Sequence, residues 1–157
     1  MTIQTSRLLA KLSNRQILQK GDLAVRQRHD LAIEVLDCLI EIDRRSLYLV
    51  EGYSSLFNFC TRRWNYSPPK AGRTIAAARC MKNFPAVRAL LVNKQITLCG
   101  VSRIAGVLTE ENSVELLRQV SGKKYVEIDR IAASRRVAPP VRDSVRPIGR
   151  NTQKNQI

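Results

Sequence analysis

Aromatic side chains are scarce in this sequence, 5% of its residues, and no stretch alternates β-branched and aromatic residues between turn signals. Leu, Ala, Val and Ile supply most of the apolar content instead. That balance argues against a β-sandwich or barrel and for packed helices. Long apolar runs are also missing: none approaches the ~18 residues of a membrane span. The first residues, MTIQTSRLLAKLSNRQ, contain no continuous apolar stretch, so no secretory leader is expected and the chain is assigned to the cytoplasm. Histidine occurs once, at His29, and no C-x-x-C pair is present. Zinc therefore lacks a ligand set, and no metal or other cofactor is expected. The four cysteines, Cys38, Cys60, Cys80 and Cys99, each fall within a helix-like pattern and are read as buried free thiols in a reducing compartment.

The most informative absence is that of acidic residues. Residues 52–109 contain nine basic side chains and no Asp or Glu. The flanking segments are mixed: residues 1–51 carry eight basic and seven acidic groups, and residues 110–134 carry four and five. Residues 135–157 are again basic, with six cationic groups against one acidic. The chain as a whole has a formal charge of +14. A long acid-free stretch repels itself, and a polyanionic partner is the simplest compensation. The competing reading is a solvated basic face with no specific partner.

Catalysis finds little support. General acid–base and nucleophilic chemistry need paired groups. His29 lies in an acidic helical segment, where a surface or packing role is expected. Asp37, Glu41 and Asp43 cluster beside Arg44 and Arg45, as a charged helix face would. The central block has no carboxylate to hold a catalytic metal, and no Gly-rich phosphate loop is present. The chain by itself is read as not an enzyme.

Periodicity divides the chain into an N-terminal lead (1–12), a helical domain (13–134) and a basic, proline-containing tail (135–157). Helical patterning starts at Ser13 and runs to about Leu47, with a break expected near Gly21. Ala32, Val35, Leu36, Leu39 and Ile42 recur on one face, and Glu41 and Arg45 form an i,i+4 pair. Ser54 is expected to cap a short helix over 54–64, with Leu56, Phe57, Cys60 and Trp64 facing the core. After the turn Asn65-Tyr66-Ser67, Pro68 suits the first position of a helix ending near Asn83. Further helices are expected from Pro85 to about Asn93 and from a Thr97 cap. Another starts at a Thr109 cap, with Val114, Leu117 and Val120 inward and Glu110 and Glu111 in its first turn. The last spans Lys123 to Ser134, with Tyr125, Ile128 and Ile131 inward. The fold class is all-α.

Two short helices joined by a three-residue turn, inside a basic block, suggest a helix-turn-helix. Asn65 tolerates the left-handed conformation that such turns need, and Tyr66 would fill the space between the helices. On the second helix Lys70, Arg73 and Ala77 are read as projecting away from Ala71, Ile75 and Ala78, toward a major groove. Arg73 suits a bidentate contact to guanine or a phosphate. Arg62, Arg63, Lys82, Arg88, Lys94 and Arg103 are read as phosphate contacts. Arg79 lies between the two faces, as a further contact or a partly buried packing arginine.

The blocks EIDRRSLYLVEGYSSLFNFC (41–60), YSPPKAGRTIAAARCMKNFPAVRALL (66–91) and ITLCGVSRIAGVLTEENSVELL (96–117) resemble the N-terminal helical region of a bacterial HNH endonuclease family. The likeness extends over about residues 13–147, including PPVRDSVRP (139–147). It implies a DNA partner and a cutting activity in full-length relatives. The His-Asn-His metal site is absent from this chain, so no nuclease activity is carried over. The chain departs from the family pattern at Gly72 and Thr74 and adds Pro68-Pro69. Its middle is more loosely similar to the helix-turn-helix core of plasmid-partition proteins. The resulting expectation is a DNA-binding helical module, with double-stranded DNA as its partner and no membrane role. Alternatives are a protein-interaction module, with a homodimer through the first long helix, and a non-functional fragment of a truncated HNH endonuclease.

Overall fold

Ser13 starts the longest element. Its hydroxyl accepts the Gln16 N–H while the Gln16 side chain accepts the Ser13 N–H, a reciprocal cap. The computed structural model describes residues 8–136. Among them are eight helices and no strand: α1 (Asn14–Arg44), α2 (Leu47–Val50), α3 (Leu56–Arg62), α4 (Pro68–Asn83), α5 (Ala86–Val92), α6 (Leu98–Ile104), α7 (Ser113–Val120) and α8 (Tyr125–Arg135). Most of the expected lead and tail, residues 1–7 and 137–157, lie outside the described residues.

α4 is the central helix, packed by α1, α3, α5 and α6. Ala71, Thr74, Ala77, Ala78, Cys80 and Met81 are all buried along it, and the small side chains among them let its neighbours approach closely. α1 is fastened to this core only through its C-terminal half, by Ile33, Leu36 and Leu39. Leu56, Phe59 and Cys60 bring in α3. α6 and α8 meet at Gly100, where an added Cβ would stand 2.9 Å from Ile96 Cγ1 and 3.0 Å from Ile128 Cδ1. Four of the eight aromatic residues form one chain, Tyr53–Phe59–Trp64–Tyr66, with successive ring centroids 5.3–5.6 Å apart.

Several local expectations need correction. α1 runs through Gly21 unbroken and stops at Arg44, where Ser46 turns the chain with φ +52°. The cap of α3 is Ser55, whose hydroxyl accepts the Asn58 N–H, not Ser54. Phe57 is exposed, and Phe59 takes its place in the core. Ala77 does not project outward; it is fully buried because α4 is covered on several sides. Thr109 caps no helix: its hydroxyl accepts the Asn112 N–H and closes a turn, and α7 begins at Ser113. Glu110 and Glu111 therefore sit in that turn, and Val114 is 82% exposed. Tyr125 stands largely outside, against Arg103. Only Cys60 and Cys80 are buried; Cys38 and Cys99 are exposed.

Candidate nucleic-acid interface

The turn between α3 and α4 is built as the local chemistry requires. Asn65 adopts φ +53°, and the Tyr66 N–H donates back to the Cys60 carbonyl at 3.1 Å, a helix-ending closure of the left-handed type. Ser67 precedes Pro68 and Pro69, which occupy the first positions of α4. Neither proline has an N–H, so the start of α4 offers few backbone donors to an anion, and side chains must supply the charge. Lys70 Nζ lies 3.8 Å from the centre of the Tyr66 ring, a cation–π contact that fixes it beside the turn.

The outward stripe of α4 is Pro69, Gly72, Arg73 and Ala76, with Arg79 one turn further on. Its small residues form the floor of two adjoining depressions. One, of about 690 Å³, is walled by Cys99, Ser102 and Arg103 of α6, Tyr125 of α8, and Arg136. The other is walled by Tyr48, Ser55, Phe57, Ile75 and Arg79. The first is lined by three arginines, Arg73, Arg103 and Arg136, and by no carboxylate among the described residues. Arg103 has polar partners of its own: its Nε donates to the Tyr125 hydroxyl at 2.6 Å and stands 3.2 Å from Asp129 Oδ1. Those two neighbours raise its pKa and keep it cationic.

The nine cations singled out in the sequence do not share one environment. Arg73 and Arg103 face the same groove. Arg63 pairs with Glu51, Arg79 with Asp43 at 3.0 Å, and Arg88 with Asp37 at 2.8 Å. Arg79 is more than half exposed, so it is an ion-pairing surface arginine, not a packing one. Lys94 borders a separate apolar pocket against α1. Arg62, Lys70, Arg73, Lys82 and Lys94 have no carboxylate within ion-pair distance among the described residues. The acid-free block is thus compensated partly from within, by α1, the α2 C-terminus and α8. His29 is a packing residue: it is half-buried, with Nε2 3.0 Å from the Leu91 carbonyl oxygen. Burial pushes the Cys60 and Cys80 thiols up to about 11, which makes both poor nucleophiles.

Sequence reasoning missed Arg136 and Tyr125. Composition placed the first in the tail, and the helical period turned the second inward. Thr74 is buried, its hydroxyl donating to the Lys70 carbonyl at 2.8 Å. Gly72 lies open on the groove floor. Among the described residues no three His, Cys, Asp or Glu side chains gather as a metal site would require, and no helix is long and apolar enough to cross a membrane. Comparison of the chain with protein-family models, with curated proteins and with solved structures gave no match.

Proposed function

We propose that this chain is a non-catalytic helical module that binds the backbone of double-stranded DNA in the groove floored by Gly72 and Ala76. The observation that carries this reading is the grouping of Arg73, Arg103 and Arg136 around a concave surface whose floor has almost no side chain, with Asp129 beside Arg103 the one acid paired to any of the three among the described residues. Guanidinium groups suit bidentate phosphate contacts, and a small floor lets a bulky backbone come close. The α3–turn–α4 unit serves as the helix-turn-helix, with Lys70 and Arg73 in the first turns of the second helix. In the sequence, residues 137–157 carry four more cations, Arg142, Arg146, Arg150 and Lys154, against one acid, Asp143. The resemblance to the helical region of HNH endonucleases points to the same partner.

The test is fluorescence anisotropy with a labelled duplex at low ionic strength. Arg73→Ala with Arg103→Ala should weaken binding by about tenfold or more, with far-ultraviolet helicity intact. A control pair, Arg44→Ala with Arg118→Ala, removes two exposed cations outside the groove and should leave affinity within a few-fold. Equal losses in the two double variants would reject the groove.

A further inference from the structure

Among the described residues nothing packs on the N-terminal half of α1. Every residue from 14 to 28 is exposed, although the apolar stripe that anchors α1 at Leu36 and Leu39 continues straight through it. Leu18, Val25 and Ala32 recur at seven-residue spacing, flanked by Ile17, Ala24 and Leu31. Leu18 is 69% and Val25 66% exposed. Where the arm joins the body, the stripe opens into an apolar pocket of about 290 Å³, lined by Ala32, Ile33, Leu36, Leu91, Ile96 and Leu98 together with His29, Lys94 and Thr97.

We infer that this face binds the same face of a second copy, antiparallel, about a two-fold axis at Val25. The charges select this occupant. Residues 14–28 carry Arg15, Lys20, Arg26 and Arg28 against Asp22, whereas residues 29–43 carry no Lys or Arg and five acids, of which Asp37, Glu41 and Asp43 pair with arginines of the same chain and Asp30 and Glu34 do not. Parallel pairing sets Arg28 beside Arg28 along the seam. Antiparallel pairing about Val25 sets Arg28 level with Asp22 of the other copy, three residues either side of Val25, and repeats the pair by symmetry. The same register places Leu18 opposite Ala32, at the apolar pocket. One register thus satisfies the apolar stripe, the pocket and the charge order together. The pairing is independent of nucleic acid, because it uses no residue of the arginine groove.

Sedimentation equilibrium of the full chain without DNA tests this. Wild type should associate to a dimer as concentration rises toward about 100 μM, the range where a weak but specific helix pair is populated. Leu18→Glu with Val25→Glu, both at exposed positions, should sediment as a monomer with unchanged melting of the body. Arg28→Asp should weaken the dimer by about tenfold, since it makes two like-charge contacts per dimer, and adding Asp22→Arg should restore it. A wild-type chain that stays monomeric, a dimer untouched by the glutamate pair, or an Arg28→Asp defect that Asp22→Arg does not repair would each overturn the inference.

Discussion

Replacing Gly72 separates stability from binding at one position. Gly72 lies inside α4, its backbone is helical, and a Cβ added there meets nothing within 4 Å. Glycine costs a helix interior about 0.8–1.0 kcal/mol relative to alanine. With open space around the new methyl group, Gly72→Ala should recover nearly all of it. An unfolding entropy of ~2.1 cal/mol/K per residue over roughly 130 folded residues turns about 1 kcal/mol into a rise in Tm of about 3–4 °C. Gly72→Leu should keep most of that gain, because leucine is also a strong helix former, but its side chain occupies the groove floor. Thermal unfolding followed by circular dichroism, run beside duplex binding, reads both effects. Gly72→Leu is expected to melt above wild type and to bind about tenfold more weakly, a loss of about 1.4 kcal/mol. A lowered Tm for Gly72→Ala would show that this face is packed. A raised Tm with unchanged binding for Gly72→Leu would show that the floor is not where the ligand sits.

Other consequences follow from the core and the surface. Leu39→Ala removes a side chain with no exposed surface at the seam of α1 and the body. It should destabilise by about 3–5 kcal/mol in chemical denaturation; a loss near 1 kcal/mol would mean the seam is loosely packed. Hydrogen bonds from Arg44, then Arg45, hold the Glu41 carboxyl down to about 2. Because the folded value is depressed, the stability that Glu41 contributes is present above its ordinary range near pH 4.5 and is lost as pH falls toward 2. A carboxyl NMR titration should give a Glu41 midpoint near 2 that moves upward in Arg44→Ala with Arg45→Ala; a midpoint already in the ordinary range would contradict the pairing. Cys38 and Cys99 should react with an aromatic disulfide in the native protein, and Cys60 and Cys80 only on unfolding. Rapid reaction of all four would refute the burial of α3 and α4.

What was legible in the sequence was local. The helix start at Ser13, the left-handed Asn65, Pro68 at the start of α4 and the end of that helix at Asn83 are each written in a few adjacent residues, and all stand in the structure. Burial at Ala77 was not legible, because a one-sided stripe is the wrong template for a helix surrounded by four others. Phe57 and Phe59 have the same chemistry two residues apart, and only the packing of Tyr53 and Trp64 on Phe59 decides between them. The ion pairs of Arg79 and Arg88 join residues 36 and 51 positions apart, so a charge count along the chain overstated the cations left for a partner. Arg136 reaches the groove because α8 carries it back past α6, a tertiary fact that its proline-rich sequence surroundings conceal.

The salt dependence of duplex binding tests the central claim most directly. Each phosphate neutralised contributes about −0.9 to the slope of log K against log salt. Wild type and the Arg73→Ala, Arg103→Ala, Arg136→Ala triple variant should therefore differ in slope by about 2.7, with the shallower line in the variant. Parallel lines for the two proteins would contradict a phosphate-binding groove between α4, α6 and α8.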